Sequence, residues 1–330
     1  MSSTMRAVIA EQPGGPDTLG LKKVPVPAPG PGQVRIRVAY SALNPLDTHA
    51  RANRIKWGHP GFPFVPGYEY AGRVDDVGEG VDVGLVGQRV AAMSEWGGNT
   101  DFAIATASRL VRVPDRFDWK LAATFATCAP TSWHLVHSAA RLREGMTLLV
   151  HSAAGAVGSL TTQIAVEAGA RVLGLAGGPD KVAYARQFGA EAVIDYTTGD
   201  WVERVKELTE GRGVDAIIDG NAGPDAPRNY EAIAPLGNVI YLGAMAGQAP
   251  PVNISQLIGR SFSITGFVQF FHQARSGAAE NAEIVEALAS GRWRIPVERI
   301  FQLEEVQRAQ ALFEGRRLVG RSLIEVGGDV

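Results

Sequence analysis

Residues 147–158 read TLLVHSAAGAVG. Thr147–Val150 is a short run with no polar face, as a strand covered on both sides requires. A helical stretch follows the turn. In it Val157, Leu160, Ile164 and Ala168 recur on one face and Gly169 ends the run. Ala153, Gly155 and Gly158 keep the spacing of G-x-G-x-x-G, with alanine in the first position. Gly155 admits the backbone to a pyrophosphate, and Gly158 lets helix and strand pack closely. The helix N-terminus adds N–H donors and positive dipole. Ala154, Gly155, Ala156 and Val157 are therefore candidate phosphate-binding residues. The competing reading is a tight turn that binds nothing. The placement after a strand, before a helix and inside a longer β–α run favours the phosphate site.

Downstream the alternation continues. Strands are expected at Arg171–Ala176, Ala192–Asp195, Val214–Asp219, Asn238–Gly243 and Ser263–Phe267. Helices are expected at Lys181–Phe188, Trp201–Glu210 and Tyr230–Ala234. Such alternation specifies a doubly wound parallel sheet of Rossmann type. Upstream the chain is different. Met5–Ala10, Val34–Tyr40, Gly72–Val77, Arg89–Met93 and Leu110–Val113 read as short strands, with a Pro/Gly turn at Pro25–Gly32. These suggest a compact, β-barrel-like domain. A helix at Glu280–Ser290 and a strand at Ser322–Val326 are expected to return to it. The expected division is 1–124 with 271–330, and 125–270, with a cleft between the two domains.

Composition removes several classes. The 330 residues carry 32 Lys+Arg against 34 Asp+Glu, a net charge of −2. No basic footprint marks a nucleic-acid or anionic-membrane partner. No apolar run reaches membrane-spanning length, and the N-terminus shows no signal-type core, so a cytoplasmic protein is expected. One cysteine, Cys128, excludes an internal disulfide framework.

The second strand of the alternating region selects the dinucleotide. An NAD site carries an acid at this tip to bind the ribose 2′-hydroxyl. No acid occurs from Val172 to Pro179. A 2′-phosphate would meet no repulsion there, and Lys181 offers it a charge-assisted bond. The residues read as an NADP(H) site. Asp180 either caps the next helix or reads a hydroxyl, and an ordinary solvated lysine is the competing reading of Lys181.

Taken together, the order of β domain, AAGAVG turn and alternating sheet resembles the medium-chain dehydrogenase/reductase superfamily. Three further segments are similar to its zinc-free, zeta-crystallin-like NADPH:quinone oxidoreductase branch. They are Gly14–Asp47 (GGPDTLGLKKVPVPAPGPGQVRIRVAYSALNPLD), Phe64–Gly72 (FVPGYEYAG) and the tail from Gly315. The resemblance implies a GroES-like first domain. It places Thr131 against the nicotinamide region and Gly177, Lys181 and Tyr196 around the adenosine phosphate. It places Leu242, Gly243, Ala244, Met245, Gly266, Phe267 and Val268 in loops holding the nicotinamide by backbone groups. His49 stands where the branch usually has tyrosine. For Leu242 and Phe267 core packing is the alternative for the side chains. The resemblance also implies a homodimer.

Zinc-dependent relatives place ligands where Asn44, Tyr68 and Cys128 stand. Amide and phenol are poor zinc ligands at neutral pH, so no catalytic metal is expected. Without a Lewis acid, substrates that accept hydride readily are favoured, namely a quinone or an alkene conjugated to a carbonyl. Asn44 is a candidate for bonding the substrate carbonyl or the nicotinamide ribose. Tyr68 is a candidate donor to developing oxygen charge. Asp47 is expected to anchor the Asn44 loop. Two alternatives are an enoyl-thioester reductase and a non-catalytic NADPH-binding protein.

Overall fold

The computed structural model describes residues 3–55, 58–93 and 95–330. The chain divides into two compact units, Met1–Thr127 with Ile295–Val330, and Cys128–Arg294. In chain order the first unit contains β1 (Thr4–Ala10), β2 (Leu19–Pro25), β3 (Gln33–Ala42), α1 (Pro45–Arg51), β4 (Glu69–Val77), β5 (Arg89–Met93), β6 (Phe102–Thr106) and β7 (Val111–Arg112). Helix α2 (Trp119–His134) carries the chain into the second unit. There follow β8 (Thr147–Val150), α3 (Ala156–Glu167), β9 (Arg171–Ala176), α4 (Pro179–Arg186), β10 (Ala192–Asp195), α5 (Trp201–Leu208) and β11 (Val214–Asp219). Next come α6 (Asn229–Ala232), β12 (Ile233–Tyr241), α7 (Ile254–Arg260), β13 (Ser263–Gly266), α8 (Gln269–Ser276) and α9 (Asn281–Ala289). The return to the first unit adds β14 (Val297–Gln302), α10 (Val306–Glu314) and β15 (Arg321–Glu325).

The second unit holds a parallel sheet in the order β10-β9-β8-β11-β12-β13. The order reverses between β8 and β11, the switch point at which doubly wound sheets bind ligands beyond their strand C-termini. β8 is buried along its whole length. Leu149, Leu173, Leu175, Ile217 and Val239 form the core beside it.

The first unit holds a sheet in the order β14-β15-β3-β4-β5-β7, with β6 paired to β3. All its pairs are antiparallel except β14–β15. Along β3, Val34, Ile36 and Val38 turn inward onto Tyr70, Val74, Val90, Phe301 and Ile324. Strands β1 and β2 form a separate antiparallel pair.

Several elements differ from expectation. The return to the first unit falls at Ile295, not at residue 271. Helix α9 buries Ile284, Ala287 and Leu288. Trp133 Nε1 donates to Glu283 (2.9 Å) and Gln163 Nε2 to the Arg294 carbonyl (2.9 Å), so residues 271–294 are fixed in the second unit. Asn44 caps α1 and Pro45 opens it, because proline tolerates the first helical position. β2 escapes pattern reading because Lys22 and Lys23 interrupt it on an exposed pair. Helix α6 stops at Ala232, and β12 begins at Ile233, earlier than its sequence period indicates. A register shift in its pairing with β11 accommodates the extra length.

Candidate active site

The β8–α3 turn is built for close approach. Ser152 takes a left-handed φ of 53°. Gly155 N donates to the Ser152 carbonyl (2.8 Å), and Ala153 N donates to the Leu175 carbonyl on β9 (3.0 Å). Gly155 caps α3 in an extended conformation, with no side-chain cap and no acid in the first turn. The first N–H groups of the helix are therefore left for an anion. A β-carbon on Gly158 would stand 2.3 Å from the Ser152 carbonyl oxygen. One on Gly174, inside β9, would stand 2.9 Å from the Ala153 methyl. The alanine in the first motif position is thus accommodated by a glycine on the neighbouring strand. A glycine within a strand signals such an approach, and the sequence reading passed over it.

Beyond β9, Gly178 takes φ 90° as the cap of α4. Asp195 at the end of β10 accepts from Thr197 Oγ1 (2.6 Å), Thr197 N (2.9 Å) and Gly178 N (3.0 Å). These bonds hold its carboxyl below the usual aspartate range. Tyr196 lies across Gly177, where a β-carbon would come within 2.5 Å of the phenol oxygen. Lys181 is half-buried in the first turn of α4, and Asp180 beside it is exposed.

The loops after β11, β12 and β13 complete the edge. Leu242 N donates to the Asp219 carbonyl (3.1 Å) and Met245 N to the Gly220 carbonyl (3.2 Å). Gly243 lies so near Gly220 that a β-carbon would stand 2.8 Å from its oxygen, and Ala244 is exposed. Gly266 ends β13. Phe267 N donates to the Tyr241 carbonyl (2.9 Å), and its buried ring stacks on His272 at 4.9 Å. Val268 is exposed. Thr131, on α2, donates its hydroxyl to Gln269 Oε1 (2.8 Å). The remaining second-unit candidates, from Ala154 to Val268, therefore gather beyond the C-terminal ends of the parallel strands. The switch point also carries a polar group the sequence reading missed. His151 Nε2 donates to Asn229 Oδ1 (2.8 Å), and Asn229 Nδ2 donates to Asp219 (2.8 Å). An acid closing the apolar strand β11 was the signal available.

Of the first-unit candidates, Asn44 and the Tyr68 backbone sit in a buried network. Asn44 Nδ2 donates to Glu69 Oε2 (3.2 Å) and to the Ala42 carbonyl (3.3 Å), while its Oδ1 accepts from Arg321 (2.9 Å). Arg321 also pairs with Glu69, whose other oxygen accepts from Thr127 N (2.8 Å). Burial pushes the Glu69 carboxyl up, against the pull of Arg321. Asp47 accepts from Asn44 N (2.8 Å), Gly67 N (2.9 Å) and Tyr68 N (3.0 Å), so one carboxylate joins the Asn44 and Tyr68 loops. Burial pushes its carboxyl up to about 6. The Tyr68 ring packs on Trp96 at 5.1 Å. His49 is half-buried on α1, and burial lowers its pKa.

This architecture is that of a two-domain nucleotide-dependent dehydrogenase. Residues 30–115 match the alcohol dehydrogenase GroES-like domain family, and residues 156–283 match the zinc-binding dehydrogenase family. A quinone oxidoreductase of Pseudomonas aeruginosa is 31% identical over 291 residues, covering 86% of this chain and 87% of the relative. A 2-haloacrylate reductase of a Burkholderia species is 31% identical over 325 residues, covering 95% and 97%. A mycobacterial structure complexed with NADPH aligns with TM-score 0.90 and 32% identity, over 97% of this chain and 100% of that one. The chain belongs to the quinone oxidoreductase branch of the medium-chain dehydrogenase/reductase superfamily.

The second family description raises zinc, and the residues here do not fit it. Asn44 Oδ1 and both Glu69 oxygens are taken by Arg321, Asn44 and Thr127. A cation added there would meet a guanidinium. Among the described residues, no group of three or more His, Cys, Asp or Glu is placed to hold a metal.

Proposed function

We propose that this chain is a zinc-independent, NADPH-dependent oxidoreductase that reduces quinones or α,β-unsaturated carbonyl compounds. The observation that carries the reading is the uncapped, acid-free N-terminus of α3 at the sheet's switch point, beside a β9 segment with no acid of its own from Val172 to Pro179. The NADPH complex of the mycobacterial neighbour and the activities named for the two curated relatives support it. Ala154–Val157 would hold the pyrophosphate, and Gly177, Lys181 and Tyr196 the 2′-phosphate end. Thr131 and the 242–245 and 266–268 loops would hold the ring end. Bound NADPH supplies the hydride. Tyr68 is read as the donor to oxygen where charge develops. Asn44 and Asp47 act as braces, since Asn44 is bonded to Glu69 and Arg321 and Asp47 to the backbone of Asn44 and Tyr68.

We read the protein as a cytoplasmic homodimer. A single buried cysteine suits a reducing compartment. β13 ends its sheet, and Leu236, Ile254 and Ile258 expose apolar surface in the same unit. No described helix is long and apolar enough to cross a membrane. The functional test is NADPH oxidation with a panel of quinones, enones, 2-haloacrylate and enoyl-CoA thioesters. Turnover with quinones or enones is expected. Tight NADPH binding with no acceptor turned over would overturn the catalytic reading.

A further inference from the structure

Thr131 and Gln269 are both more than nine-tenths buried, at 8% and 6% exposure. The Thr131 hydroxyl donates to Gln269 Oε1 (2.8 Å), and Gln269 Nε2 donates to Gln273 Oε1 (2.9 Å). In this structure the second bond orients the amide, with its nitrogen on Gln273 and its oxygen facing Thr131. A threonine hydroxyl has one proton and two lone pairs. With the proton given to Gln269, the Thr131 oxygen presents only acceptor capacity to a ligand. Gln269 also follows Val268 directly, so the same side chain ties the 266–268 loop to α2.

We propose that Gln269 is a positioning residue that makes Thr131 an obligate acceptor, selecting an N–H donor on the ring end of the cofactor. On the reading under Proposed function, on which this rests, that donor is the nicotinamide carboxamide. A ring bearing a carbonyl without an N–H finds no partner at Thr131. With Gln269 replaced by an apolar residue, the hydroxyl is free to rotate and donate, and the discrimination disappears.

The test is a calorimetric comparison of three probes. They are NADP+, its 3-acetylpyridine analogue (carboxamide replaced by methyl ketone) and 2′,5′-ADP, which lacks the ring end. The wild-type protein is expected to bind NADP+ about three- to tenfold more tightly than the acetylpyridine analogue, the worth of one hydrogen bond. In Gln269→Leu that ratio falls to about one, with 2′,5′-ADP affinity unchanged. Gln269→Met reads the same loss should the branched side chain prevent folding. Gln269→Glu keeps the acceptor oxygen and is expected to keep the wild-type preference. An unchanged ratio in the Leu and Met variants, or equal loss in the Glu variant, overturns the proposal. If the wild-type protein binds neither NADP+ nor 2′,5′-ADP, the cofactor reading itself fails.

Discussion

Gly158 lies so close over Ser152 that a β-carbon at 158 would stand 2.3 Å from the Ser152 carbonyl oxygen and 2.9 Å from its carbon. Backbone, not a movable side chain, occupies the space. The contact sets the distance from α3 to the β8 turn, and with it the direction of the uncapped N–H groups. Gly158→Ala is therefore expected to cost about 1–3 kcal/mol of stability, as overpacking does, and to weaken NADPH binding. Thermal melts and fluorescence titration of the variant check both effects. A variant as stable as the parent would show that the turn relaxes freely.

Cofactor preference turns on the β9 tip. Lys181→Ala is expected to raise the NADPH dissociation constant about tenfold or more, the worth of one charge-assisted bond, with little change for NADH. Parallel titrations with the two nucleotides separate a lost phosphate contact from a general loss of binding, in which both constants would rise together.

Removal of one partner from the buried Arg321–Glu69 pair leaves a charge without a counter-ion. Arg321→Met is expected to destabilise by about 3–5 kcal/mol. Adding Glu69→Gln recovers much of this, since glutamine still accepts from Thr127 N and meets Asn44. Urea denaturation of the two singles and the double completes the cycle. Strictly additive losses would contradict the coupling.

Asp47 makes a pH prediction. Its folded pKa, pushed up to about 6, exceeds the ordinary aspartate value of 3.8. The folded chain therefore takes up a proton that the unfolded chain does not, in the window between the two. The contribution of this group to stability is full below the ordinary value and lost as pH rises through about 6. The stability difference between wild type and Asp47→Asn is expected to decline by up to about 3 kcal/mol from pH 4 to pH 7. A difference that is flat across that range would contradict the assigned environment.

The parallel unit was legible because β8, β9 and β11 are apolar runs between helical periods, and glycine punctuation marks their ends. The phosphate turn was legible because its chemistry is local, within residues 151–158. The buried first-unit network was not, since Asn44, Glu69 and Arg321 are brought together only by the pairing of β3 with β4 and β15. The Thr131–Gln269 bond spans 138 residues and leaves no periodic trace. The change of unit at Ile295 depends on where α9 buries its apolar face, and an amphipathic helix does not name its partner.

Zinc independence is decided by NADPH consumption in protein dialysed exhaustively against a zinc chelator, with a naphthoquinone as acceptor. A metal-independent enzyme oxidises NADPH saturably at the rate of the undialysed protein, unchanged on adding zinc. Activity lost on dialysis and restored by zinc would contradict zinc independence.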